Sequence, residues 1–151
     1  ILCAKGAIEL AEGRWNEGRD AFATALEMNA SCDVAAAGLG LWEQHKGTEA
    51  AAWHFYTQAL EINPETSRAL LGAVELGYRL KKLPELEVIL TRYADLHPAD
   101  LDMLYALAGC LFAQGKYAEA REHISTIQLF EPNHERAVEL NEIIAQRQAG
   151  F

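Results

Sequence analysis

The chain is poor in the features that announce chemistry or a membrane. It has only three cysteines, Cys3, Cys32 and Cys110, widely spaced and odd in number. A disulfide framework or a zinc site would ask for closer pairs. They read as free thiols, and a reducing, cytoplasmic compartment is the favoured location. No cluster of five or more Lys and Arg exists, and the net charge is -9. Phosphate neutralisation needs a basic patch, so nucleic acid is excluded as a partner, and an anionic membrane surface is disfavoured. No apolar run approaches the roughly 20 residues of a membrane span, which speaks against membrane insertion. Prolines number four, and low-complexity stretches are missing. No alternating, β-branched run suggests a strand.

Catalytic constellations are equally scarce. The five histidines, His45, His54, His97, His123 and His134, form no His-x3-His pair and no HExxH element. No metal site is expected from them. Gly38-Leu39-Gly40 falls inside a helical pattern, without the strand-turn-helix setting of a phosphate loop. Carboxylates such as Glu85, Glu87, Glu119 and Glu122 read as a solubilising face. The expectation is a protein that is not an enzyme and carries no cofactor.

What is present is a period of 34 residues. Gly13, Gly47 and Gly115 coincide on it, with Lys81 in the remaining slot. Pro64, Pro98 and Pro132 coincide too, with Ala30 in the first slot. Self-similarity at this spacing marks stacked two-helix units that cannot bury their apolar faces alone. Apolar periodicity and its breakers predict helices at about 1–12, 15–28, 33–46, 49–62, 67–81, 83–96, 101–114, 117–130 and 134–148. The period-matched glycines end the first helix of each pair, where left-handed backbone angles are needed. The last helix carries Ala137, Val138, Leu140, Ile143 and Ile144 on one side, as a terminal cap should. The chain opens Ile1-Leu2-Cys3-Ala4 and reads as a piece of a longer protein, with further repeats or another domain ahead of it.

These residues resemble the tetratricopeptide repeat family. The second repeat matches best, with Leu39-Gly40, Gly47, Ala52, Tyr56, Ala59-Leu60 and Asn63-Pro64 at the family's spacing. The fourth offers Leu104, Leu107-Ala108, Gly115, Tyr117, Ala120 and Pro132, and the first keeps Gly6, Gly13, Phe22 and Ala25-Leu26. The resemblance implies an all-α fold, a right-handed superhelical solenoid of antiparallel helix pairs. It implies four repeats over 1–132, at about 1–32, 33–66, 67–100 and 101–132, and a capping helix over 133–151.

In that family the first helix of each pair lines a concave groove. Carried over slot by slot, the resemblance implies partner-binding residues Leu41, Gln44, Arg68, Leu71, Glu75, Tyr78, Tyr105 and Phe112. A floor of small residues, Ala4, Gly38, Gly72 and Ala106, suggests close approach by something. Glycine within a helix costs about 1 kcal/mol relative to alanine, and the repeat pattern does not require Gly38 or Gly72. Cations and the asparagine ladder that grip peptide tails in some relatives are nearly missing from these slots, which argues against capture of a charged tail. The expected function is a scaffold whose groove binds an apolar or amphipathic helical segment of a protein or peptide partner. The alternatives are an interaction module of a larger enzyme or regulator, and a self-associating assembly module, a homo-oligomer.

Overall fold

The computed structural model describes residues 1–150, all of them in helices or the short turns between them. The helices are α1 (Leu2–Ala11), α2 (Trp15–Met28), α3 (Asp33–Lys46), α4 (Glu49–Ile62), α5 (Ser67–Arg79), α6 (Leu83–Leu96), α7 (Leu101–Ala113), α8 (Tyr117–Phe130) and α9 (Glu135–Gln148). Each falls within two residues of its expected limits. The chain forms two compact units, one spanning Ile1–Lys81 and the other starting at Lys82. The division falls between the two helices of the third 34-residue segment.

In the first unit α1 packs on α2 and α3 on α4, with α2 against α3 and α4 against α5. The helices α1, α3 and α5 also touch in sequence, making a layer of first helices. In the second unit α6 packs on α7, α7 on α8 and α8 on α9, and α7 meets α9 directly.

Three of the four turns within helix pairs use a left-handed residue. Gly13 (φ +83), Lys81 (φ +58) and Gly115 (φ +77) hold these positions. Lys81 takes the conformation at a cost of about 1–2 kcal/mol, because its Cβ crowds the backbone. Gly47 departs from expectation, with φ −114 and ψ −130. The reason is a different stop signal: the Thr48 hydroxyl accepts from Ala51 N at 3.2 Å to cap α4, while Glu43 Oε2 accepts from Thr48 N at 3.2 Å. A side chain at 47 would run into that Glu43 carboxylate.

Longer turns are held by acids. Asp33, at the start of α3, accepts from Asn63 Nδ2 (3.1 Å) and Thr66 Oγ1 (2.8 Å), which ties α3 to the turn after α4. In the second unit Asp100 caps α7 by accepting from Met103 N (3.3 Å) and also accepts from the Tyr93 hydroxyl (2.7 Å). Of the apolar side predicted for α9, Ala137, Leu140 and Ile144 are buried, whereas Ile143 stands 41% exposed. The buried stripe is narrower than the sequence suggests.

The core of the first unit is organised around two rings. Phe22 lies between Gly6 of α1 and Gly38 of α3: a Cβ on Gly6 would come within 2.9 Å of the ring, and one on Gly38 within 2.6 Å. Tyr56 repeats the arrangement one period later, between Gly40 of α3 and Gly72 of α5, where added Cβ atoms would lie 2.6 Å from its Cδ1 and Cζ. Tyr56 is 1% exposed. Burying such a ring contributes roughly 1.5–3 kcal/mol, which offsets the ~1 kcal/mol penalty of each helical glycine. The next two slots for the ring hold Leu90 and Ile124, both buried. The slots that flank Ile124 by the same period hold Ala108 and Leu140, with no glycine. A smaller second-helix residue thus goes with larger neighbours, as conserved packing volume requires.

This pairing sets a test. Gly72→Ala should destabilise the protein by about 1–2 kcal/mol, since overpacking outweighs the gain in helix propensity. Combined with Tyr56→Leu, the added methyl should fit, and urea unfolding of the four-member cycle should show a coupling of at least ~1 kcal/mol. Additive effects would mean that ring and glycine do not constrain one another.

Candidate functional site

The layer of first helices in the first unit encloses two adjoining depressions. The first, ≈ 240 Å³, runs between Ala7, Leu10 and Ala11 of α1 and Val34, Gly38 and Leu41 of α3, with Trp15 and Phe22 from α2. The second, ≈ 630 Å³, lies between α3 and α5, bounded by Leu41, Gln44, His45, Ser67, Leu71 and Glu75. Leu41 and Arg68 border both, so the two form one groove with a shared partition. Their floors are the rings described above: Phe22 shows through beside Gly38, and Tyr56 beside Gly72.

Five of the eight expected groove residues meet here: Leu41, Gln44, Arg68, Leu71 and Glu75. Leu71 is 61% exposed on the wall, and Val34 is 50% exposed at the opposite end.

The polar members are engaged with one another. The Tyr56 hydroxyl donates to Gln44 Oε1 at 2.7 Å, and Gln44 Nε2 donates to Glu75 Oε2 at 3.0 Å. Arg79 donates to Glu75 Oε1 at 3.4 Å and to Glu49 Oε1 at 2.9 Å. This chain binds α3, α4 and α5 together at the groove rim. Burial pushes the Tyr56 phenol up to about 12, with the Glu75 carboxylate adding to the effect and Arg68 opposing it.

The other expected residues lie elsewhere. Tyr78 sits on α5, 40% exposed, and lines neither depression. Tyr105 and Phe112 belong to the second unit and face α9. The Arg136 guanidinium lies 4.6 Å above the Tyr105 ring, and that of Arg147 lies 5.8 Å from Phe112. His134 stacks 6.3 Å from Tyr105, and Tyr117 tilts 5.7 Å from Phe112. Both aromatics therefore serve the docking of α9.

The small floor residues also receive a different explanation. Gly38 and Gly72 are buried, and the bodies that approach them closely are Phe22 and Tyr56 from this chain. Ala4 is exposed and Ala106 half-buried. Val34, Trp15, Phe22 and Tyr56 were missed as groove residues. The 34-residue spacing from Val34 to Arg68 was the available signal for Val34. The others come from second helices, whereas the resemblance takes groove residues from first helices.

Among the described residues, no group of three or more His, Cys, Asp and Glu side chains could hold a metal ion. No helix there is long and apolar enough to cross a membrane.

The sequence pattern of the tetratricopeptide repeat matches residues 87–141. Comparison with curated proteins yields no match. Among solved structures, YrrB, described as a TPR protein with an unusual peptide-binding site, is similar with a TM-score of 0.80 at 17% identity, over 98% of this chain and 76% of that one. MamA is similar with a TM-score of 0.79 at 15% identity, over 99% and 81%. Pseudomonas aeruginosa PilF gives 0.68 at 19% identity, over 98% and 68%. The fold is an all-α helical repeat solenoid like that of these proteins, and the tetratricopeptide repeat pattern itself is matched over residues 87–141.

The Tyr56 shift has a measurable sign. Its folded pKa lies above the ordinary value of 10, so the folded state holds the proton longer. The resulting stability is present below pH 10 and is lost as pH rises toward 12. Stability measured by urea unfolding between pH 10 and 12 should fall less steeply in Tyr56→Phe than in the wild type. Equal slopes would place the phenol in a solvated setting.

Proposed function

We propose that the chain is a non-catalytic protein-interaction scaffold whose groove in the first unit receives an apolar or amphipathic helical segment of a partner. The observation that carries this reading is the aliphatic wall of Val34, Leu41 and Leu71 around two adjoining depressions. Amphipathic helices present anchors at i, i+3, i+4 and i+7 to such grooves. The polar groups at the rim support the same reading, because Gln44 and Glu75 already bond one another. An incoming segment meets Arg68, Ser67 and His45 as the further polar side chains there, while the aliphatic wall supplies apolar complementarity. The tetratricopeptide fold is itself associated with protein and peptide partners, and the description of YrrB names a peptide-binding site for that protein.

Selection from a library of helical peptides against the protein, followed by titration, tests this. Leu71→Glu should weaken the selected peptides at least tenfold, since it places a charge on the apolar wall. Far-UV circular dichroism should be unchanged, because Leu71 is mostly solvent-exposed. Selected peptides whose affinity ignores both Leu71→Glu and Leu41→Glu would remove the groove as the binding surface.

A further inference from the structure

Cys3 and Cys32 are 29 positions apart in sequence, yet their Sγ atoms lie 3.4 Å from one another. Their spacing alone gave no reason to pair them. Cys3 sits on α1 and Cys32 is the N-cap residue of α3, and both are half-buried against the first core cluster of Leu10, Phe22, Ala25, Ala35 and Leu39. A disulfide needs an S–S separation of about 2.05 Å. The two sulfurs are therefore a little more than 1 Å from bonding distance, within reach of a side-chain rotation. Cys110, by contrast, is fully buried in the other unit and donates to the Leu83 carbonyl at 3.3 Å.

We propose that Cys3 and Cys32 form a redox modification site, a dithiol that low-molecular-weight disulfides such as glutathione disulfide convert to an intramolecular bond. Cys32 takes up the reagent first: its thiolate attacks one sulfur of glutathione disulfide, forms a mixed disulfide and releases one glutathione. Cys3 then gives its proton to solvent and attacks Cys32 Sγ, displacing the second glutathione. In balance, two protein thiols are oxidised to one disulfide, and one glutathione disulfide is reduced to two glutathiones. The order follows from surroundings. The Cys3 thiol is pushed up to about 11, by burial first and by its Cys32 neighbour second. It is slow to react with a reagent in solution, but beside an activated Cys32 sulfur its high local concentration compensates.

The bond has a structural consequence. It ties α1 to α3, the two walls of the smaller depression, at Ala7, Leu10 and Ala11 on one side and Val34, Gly38 and Leu41 on the other. Oxidation thus fixes the width of that part of the groove and removes freedom from the unfolded chain. The chemistry stands whether or not the groove binds a helical segment.

The test is equilibration of the native protein with graded glutathione disulfide and glutathione at pH 8, quenched by alkylation. The expected product is a monomer lighter by about 2 Da, the mass of two hydrogens lost on disulfide formation. Non-reducing peptide mapping should join Cys3 to Cys32, and Cys110 should become alkylatable only on denaturation. Its melting temperature should exceed that of the reduced protein by roughly 5–15 °C, and Cys32→Ser should lose both effects. Three results would overturn the proposal. One is native thiols that stay unlinked at ratios that link them in urea. Another is a Cys32–glutathione adduct that Cys3 never resolves, and the third is linkage between two copies.

Discussion

The first unit depends on a ring reaching between two helices where neither offers a side chain. Phe22 and Tyr56 come from second helices, and each meets glycine on both of the first helices it separates. A Cβ at any of these four positions would come within 3.0 Å of the ring, closer than carbon atoms pack. The glycines therefore set how near α1, α3 and α5 can approach, and the rings set how near they must stop. Because the gap is filled from behind, the ring edges emerge on the far side as the floors of the two depressions. Core packing and groove shape are consequences of the same contact.

That constraint was only half legible in the sequence. The 34-residue period and the apolar pattern place every helix within two residues, since both follow from backbone geometry that acts locally. Gly38 and Gly72 stood out as unneeded by the repeat and suggested close approach by something. The rings packed against them, Phe22 and Tyr56, lie 16 residues upstream on other helices. The relation between ring and glycine becomes visible only when two helices of one repeat and one of the next are in place. Gly47 shows the opposite limit. A glycine at the expected slot invites a left-handed turn, but the Thr48 cap and the Glu43 carboxylate impose another geometry.

The second unit solves the same packing problem with aliphatic residues, and its aromatic residues have other work. Ile124 stands where the rings would, and the slots that flank it carry Ala108 and Leu140 in place of glycine. Tyr105 and Phe112, seven residues apart and so on one face of α7, lie under two arginines of α9 that are eleven residues apart. Slot-by-slot transfer from the family marked both aromatics as groove residues. It could not register that α9 brings cations to those faces, since a cation–π contact depends on the partner helix and not on the slot. Such contacts contribute about 0.5–1 kcal/mol each when exposed, enough to orient a terminal helix that also buries Ala137, Leu140 and Ile144.

The rim of the first unit's groove follows from similar internal engagement, with an effect on recognition. Tyr56, Gln44, Glu75, Arg79 and Glu49 form a continuous run of hydrogen bonds across α3, α4 and α5. A binding segment that competed for Gln44 or Glu75 would have to break bonds already made, and the exchange would return little. The aliphatic side chains face no such competition: Val34, Leu41 and Leu71 gain by leaving water. The rim chain also holds its own side chains in place, which would lower the ordering cost of the proposed association. Under the proposed reading, selectivity would fall to the spacing of the two depressions and to Arg68, the one charged side chain that borders both.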